Sequence, residues 1–246
     1  MKTTIIIQAR LGSIRLPNKV LRKINNLTIL EIIYKRLKKV KNCDEIIFAI
    51  PRNKENIKLK NFIKKKICSK VFLGSEKNVL NRYYSAAKSF RSNIIVRITA
   101  DCPFVDPKIV ENYIKIIKKH NLDYVYNGFP HTYPDGLDVE VFNFKSLSLA
   151  NRNAKNDFQR EYVTRYFRDN LEKFRVKHIK CPIPNISNIR ITLDEEDDYN
   201  LIKKIFDHFK PDIYFDWKKI IKLAKNKKKL FKFNSLTKLN EGSYLD

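Results

Sequence analysis

Three clusters of charged residues each stand at the end of an apolar run. The stretch Gln8-Ala9-Arg10-Leu11-Gly12-Ser13-Ile14-Arg15-Leu16-Pro17-Asn18-Lys19 brings the cations Arg10, Arg15 and Lys19 close together in sequence. Together they can offset much of the charge of a triphosphate. Gly12 permits a tight backbone path and close approach of a ligand. Ser13 and the backbone N–H groups around Leu11 and Gly12 can donate to phosphate oxygens. The stretch is neither a Walker loop nor a G-x-G-x-x-G fingerprint, and on composition alone a basic surface loop accounts for it equally well. The second cluster is Arg97-Ile98-Thr99-Ala100-Asp101-Cys102-Pro103. Asp101 would stand at the carboxyl edge of a strand, with Thr99 and Ala100 beside it. Mg²⁺ takes one or two carboxylates together with phosphate oxygens and water. The competing assignment is a capping aspartate, a job for which Asp106 is also available. The third is Arg190-Ile191-Thr192-Leu193-Asp194-Glu195-Glu196-Asp197-Asp198. Asp194 falls at the strand end, and Glu195 to Asp198 suit the N-terminus of a following helix. Asp101 and Asp194 could share one metal ion.

The elements that must position these residues alternate. Apolar runs at 4–8, 45–50, 70–73, 94–98 and 123–127 read as strands. Between them Leu30, Ile33, Leu37 and Val40 form one helical stripe, and Val110, Tyr113, Ile114 and Ile117 another. Helical patterns also cover 54–65 and 76–90. This rhythm predicts an α/β fold, a mostly parallel sheet flanked by helices, and ligands then bind outside the carboxyl ends of the strands. From 131 the pattern changes. Tyr133-Pro134-Asp135-Gly136 is a turn, and Leu137 to Phe142 alternates apolar with acidic residues. We expect an inserted β-hairpin arm over 131–145, helices at 145–154 and 157–169, strands at 174–181 and 188–193, and a helix at 196–209. A basic amphipathic helix starts at Trp217 and a basic tail occupies 225–246. One domain over 1–246 is the economical organisation.

Composition narrows the classes. With 246 residues, 43% hydrophobic, the chain can bury a full core. Its net charge of +25 raises the question of nucleic acid. The basic residues are spread along nearly every segment without interleaved exposed aromatics, so we read them as solvated charge and expect no nucleic-acid partner. A positive field would still steer an anionic nucleotide towards a cleft. No apolar run reaches the length of a membrane span, and the N-terminus lacks the pattern of a signal peptide, so a cytoplasmic protein is expected. Cys43, Cys68, Cys102 and Cys181 are scattered, which suits reduced thiols and not zinc.

The sequence resembles the cytidylyltransferase family that includes CMP-Kdo and CMP-acylneuraminate synthetases, and within it the SpsF-like spore coat polysaccharide branch. The resemblance rests on IIQARLGSIRLPNKVL, VLNRYYSAA, VRITADCPFVDP, YPDGLDVEVF, REYVT and RITLDEEDDYNLI, spread over residues 4–209. It implies a glycosyltransferase-A-like, Rossmann-like nucleotide-binding fold, CTP as nucleotide substrate, Mg²⁺ as cofactor and a homodimer. Carried over by position, Arg10, Ser13 and Lys19 would hold the triphosphate, Asp101 and Asp194 would ligate Mg²⁺, and Arg82 would lie at the base end. There are three departures: Asn18 stands for the usual Gly before the loop lysine, Tyr162 for His, and Arg165 for Pro. Asn tolerates the left-handed backbone best among non-glycine residues.

The expected reaction is attack by an acceptor oxygen on the α-phosphorus of the nucleotide with release of pyrophosphate, in the synthesis of surface polysaccharide or glycoconjugate. His131, Tyr133, Asp135, Asp138 and Glu140 are candidates for the side that takes a small anionic or sugar acceptor. A solvated strand face or a salt bridge in a dimer arm explains them as well. Arg160, Glu161 and Arg165 are further candidates, for which a surface ion-pair network is the alternative. A catalytically silent homologue that binds a pathway partner remains a second class, and a basic nucleic-acid-binding protein a third.

Overall fold

The computed structural model describes residues 1–231, so most of the expected tail lies outside the described residues. In chain order the strands and helices are β1 (Thr3–Gln8), β2 (Lys23–Ile24), β3 (Leu27–Thr28), α1 (Ile29–Leu37), β4 (Glu45–Pro51), α2 (Asn56–Phe62), β5 (Lys70–Gly74), α3 (Val79–Ser89), β6 (Ile94–Thr99) and α4 (Pro107–Lys119). There follow β7 (Tyr124–Tyr126), β8 (Glu140–Asn143), α5 (Phe144–Asn153), α6 (Asp157–Glu161), α7 (Arg165–Arg168), β9 (Val176–His178), α8 (Glu196–His208) and α9 (Trp217–Asn226). Seven strands make one sheet in the order β5-β4-β1-β6-β8-β7-β9, and β2 pairs with β3 in a separate small ribbon. β8 runs antiparallel to both its neighbours, while the other ladders of the large sheet are parallel.

The sheet is buried on both faces, as its apolar strands require. Ile5, Ile7, Phe48, Ile50, Val96 and Ile98 face the helices α1, α4, α8 and α9 through one core. Their neighbours Ile6, Ile47, Ala49 and Ile95 face α3 and the residues around α5 and α7 through the other. The two helical stripes read from sequence are buried as expected. α1 starts with a capping box between Thr28 and Glu31, which satisfies two of its free backbone donors. Asp106 caps α4 by accepting from the Lys108 N–H at 2.8 Å, which leaves Asp101 for other work. Among the described residues no helix is long and apolar enough to cross a membrane.

Between 131 and 193 the structure departs from the sequence expectations. No arm projects over 131–145: β8 is inserted in the middle of the sheet, between β6 and β7. Its acidic-apolar alternation has a different cause from a half-solvated face, because Glu140 is buried opposite Arg97 in the ladder. The helix expected over 157–169 is interrupted at 162–164. There Val163 is fully buried in the core, and Tyr162 leaves helical geometry with φ −93° and ψ 65°. The 188–193 stretch forms no extended ladder. Its backbone is divided between two partners: Ile191 N–H donates to Asp135 O at 2.8 Å, and Leu193 N–H donates to Asp101 O at 2.8 Å. The strand expected at 174–181 shortens to β9.

Candidate active site

β1 and β6 lie side by side with their carboxyl ends aligned, Gln8 beside Thr99. The loop after β1 therefore faces the loop after β6, and the 189–194 segment closes the same edge. Asn18 adopts the left-handed conformation, φ 56°, so the residue that replaces glycine takes up the backbone shape that glycine would supply. The chain then turns, and the Lys19 ammonium donates to Asp194 Oδ1 at 2.9 Å and Leu193 O at 2.8 Å, with Asp101 Oδ2 at 3.5 Å. Asp101 and Asp194, 93 positions apart in sequence, thus meet across one cation. Burial pulls the Lys19 pKa down, but Asp101 and then Asp194 outweigh it and leave it raised. Burial pushes Asp194 up, yet Lys19 and then Arg190 hold its carboxyl below the ordinary value.

Two cavities meet at this pair. The larger, of about 770 Å³, is lined by Gln8, Arg10, Gly12, Ser13, Arg15, Lys19, Val79, Arg82, Thr99, Ala100 and Asp101, among others. The smaller, of about 280 Å³, is lined by Gly128, His131, Asp135, Asp138, Glu140, Thr164, Arg168, Arg190 and Thr192. Arg15, Arg97, Thr99, Asp101, Tyr162 and Asp194 line both. Two of the cations of the larger cavity, Arg10 and Arg15, are loosely held. Arg10 is exposed, and Arg15 reaches Glu195 at 3.2 Å and Asp194 at 3.7 Å. Arg82 is buried and donates to Ser75 O, so it braces the loop before α3 while forming part of the wall. Burial, reinforced by the Arg10 charge, lowers its pKa to about 10.

The smaller cavity is built from buried charge. Arg190, only 5% exposed, donates to Asp135 Oδ2 at 2.9 Å, Asp194 Oδ2 at 2.7 Å and Asp198 Oδ2 at 3.1 Å. One guanidinium thereby fixes the turn before β8, Asp194 and the start of α8. Gly136, at φ 108°, lets the same turn lie against 191–192, where a Cβ would come within 2.9 Å of backbone atoms. Arg97 pairs with Glu140, which also accepts from the Tyr124 hydroxyl. Burial raises Glu140, but Arg97 outweighs it and keeps the carboxyl below its usual range. Burial, with Asp135 and Glu140 nearby, pushes Asp138 up to about 8. Burial and then the Arg168 charge lower His131 to about 4. Buried polar atoms without a hydrogen-bond partner gather around these walls: Gln8 Oε1, Arg82 Nε, Arg97 Nε, Arg168 Nε and Thr192 Oγ1. Such atoms are scarce in folded proteins.

Several sequence candidates lie elsewhere. The Leu11 N–H donates to Asn56 Oδ1 at 3.0 Å, and its side chain is in the core, so it does not face the larger cavity. Tyr133 is buried against Trp217, with ring centroids 5.5 Å apart. Arg160 is exposed and donates to Ala154 O at 3.2 Å. Arg165 pairs with Asp169 at 2.6 Å and lies over the Phe158 ring. Glu161 lines the larger cavity instead of the smaller. Sequence reasoning assigned nothing to Arg97, Thr164, Arg168, Arg190 or Thr192. The available signal was a charged residue inside or beside an apolar run, visible at Arg97 and Arg190 and absent at the others. Cys102 is buried, and burial followed by Asp101 raises its thiol pKa well above the usual value, which suits packing.

A mostly parallel sheet whose carboxyl edge carries a basic loop, with a lysine between Asp101 and Asp194 and a second, charged cavity, suits a nucleotidyltransferase. The chain belongs to the cytidylyltransferase family, whose profile matches residues 4–232. It is 40% identical over 210 residues to the uncharacterised protein MJ1063 of Methanocaldococcus jannaschii, with 85% of each chain covered. It is 32% identical over 210 residues to the spore coat polysaccharide biosynthesis protein SpsF of Bacillus subtilis, covering 82% of this chain and 85% of that one. The solved structure of a cytidylyltransferase from Leptospira borgpetersenii superposes with a TM-score of 0.89 at 30% identity, over 94% of this chain and 97% of that one. The protein is therefore a nucleotidyltransferase that uses CTP.

Proposed function

We propose that the protein transfers CMP from CTP to a small anionic or sugar acceptor, releases pyrophosphate, depends on Mg²⁺ and serves surface polysaccharide or glycoconjugate synthesis. The observation that carries this reading is the Asp101–Lys19–Asp194 contact at the seam between the two cavities. The larger cavity, with Arg10, Ser13, Arg15 and Lys19, is the proposed triphosphate side, and the smaller is the proposed acceptor side. The donor set fits a hard cation: two carboxylates converge where an ammonium already sits. Among the described residues no group of three or more His, Cys, Asp or Glu could hold a metal by itself, so phosphate oxygens and water would complete the shell. Bound by Asp101 and Asp194, Mg²⁺ would add positive charge against the α-phosphate.

The acceptor oxygen attacks the α-phosphorus, a new P–O bond forms, and the bond to the bridging oxygen breaks as pyrophosphate leaves. Arg10, Arg15 and Lys19 stabilise the charge that develops on the leaving group. When the acceptor oxygen is a hydroxyl, a carboxylate near the seam would take its proton. We further propose a cytoplasmic homodimer, which light scattering on the purified chain tests for oligomeric state. The main test is pyrophosphate release across the four nucleoside triphosphates and a panel of sugar acids, sugar phosphates, polyol phosphates and phosphonates. CTP alone should support turnover, and Asp101→Asn should lower kcat by about 10²-fold or more with the fold retained. Full turnover in that variant, or equal use of the four nucleotides, overturns the reading.

A further inference from the structure

Arg168, the last residue of α7, lines the smaller cavity but not the larger. The other arginines of that cavity have carboxylate partners within the protein. Arg97 is held by Glu140, Arg15 by Glu195 and Asp194, and Arg190 by Asp135, Asp194 and Asp198. Arg168 forms no ion pair among the described residues. It lies over the Phe129 ring, 5.4 Å from the centroid, and its Nε is buried with no hydrogen-bond partner. A buried donor on a charged group costs stability when left unmatched, and a planar guanidinium is suited to carboxylate and phosphate oxygens. Its field already reaches His131 and Glu140, whose pKa values it lowers.

The geometry points to Arg168 as the residue that binds a non-reacting carboxylate or phosphate of the acceptor, an inference that rests on the smaller cavity being the acceptor side. The charge pattern sets the orientation. Asp135 and Glu140 are already matched by Arg190 and Arg97, so an anion finds its counter-charge at Arg168, while Asp101 and Asp194 mark the seam where the attacking oxygen must lie. The acceptor class is therefore a small hydroxylated molecule that carries its anionic group apart from the attacking hydroxyl. Arg168 is a specificity residue for that group.

The test compares binding of D-glucuronate, glucose 6-phosphate and neutral D-glucose to the full chain by saturation-transfer NMR, with and without CMP. The anionic probes should bind wild type about tenfold or more tightly than glucose, and Arg168→Met should erase that difference. Arg168→Lys keeps the charge but loses the planar fork, and should retain part of the preference. CTP affinity, measured on the same preparations, should be equal in wild type and both variants, and serves as the control for folding. Equal binding of anionic and neutral probes by wild type, or a preference that survives in Arg168→Met, overturns the assignment. If CTP binding or pyrophosphate release fails in wild type while the anion preference is present and lost in Arg168→Met, nucleotidyl transfer falls and the anion site stands.

Discussion

The two cavities that meet at Asp101 and Asp194 are built in opposite ways. The larger is walled by a loop whose Arg10 and Arg15 are long side chains open to solvent, with the Arg15 side chain 43% exposed. The smaller is walled by charges already locked to one another, with Arg190 and Asp198 buried and Glu140 tied to Arg97 and Tyr124. A triphosphate offers several negative charges and needs positive potential more than fixed positions. A neutral or singly charged acceptor offers fewer handles, so its site must be organised before it arrives. The difference teaches that disturbing the first cavity should alter affinity, whereas disturbing the second should also alter stability.

The strongest way to break that comparison is Arg190→Met. Removing the guanidinium leaves Asp135, Asp194 and Asp198 close together without their shared cation. Loss of one partner of a buried charge network costs about 3–5 kcal/mol, so chemical denaturation should show a large loss of stability together with loss of turnover. A variant as stable as wild type would mean that the smaller cavity is not held by this network. Gly136→Ala comes next. Its added Cβ must enter the backbone of 191–192 at φ 108°, and we expect about 1–3 kcal/mol of destabilisation, read by the urea midpoint.

In the larger cavity, Arg10→Ala should raise the KM for CTP several-fold, by about 1 kcal/mol, with an unchanged melting temperature. A fall in stability comparable to that of the Arg190 variant would erase the contrast between the cavities. The last effect is read through pH and is expected at Asp138. Its pKa is raised on folding from 3.8 to about 8, so the folded state holds the proton more tightly than the unfolded chain. This coupling lowers stability as pH rises from about 4 to about 8. Asp138→Asn should therefore raise the melting temperature above pH 8 and gain progressively less as pH falls towards 4. A gain independent of pH would sink the assignment.

Legibility in the sequence followed locality. The loop from Gln8 to Lys19, the strand-end Asp101 and the two helical stripes were readable because each is a contiguous pattern on one element. The tolerance of Asn18 for a left-handed backbone was also a local inference, and φ 56° agrees with it. The acid at 140 was legible as an acceptor-side candidate or a solvated face, but not as the buried partner of Arg97, which lies 43 residues away on another strand. The break at 162–164 left no strong local signal. It depends on Val163 being drawn into the core, and that break is what brings Tyr162 and Thr164 to the cavity walls.

The sequence by itself determined the βαβ rhythm, the carboxyl-edge position of the charged motifs and the chemistry of a basic loop facing strand-end acids. Those features depend on side-chain period, on backbone preference and on where apolar runs stop, all of which act over a few residues. Only the tertiary structure decided that Lys19 lies between Asp101 and Asp194, that Arg190 gathers three carboxylates, and that the Arg168 Nε is buried without a hydrogen-bond partner. Each of these is a question of which charge meets which across long loops. The answer depends on burial and distance, which a linear pattern does not contain.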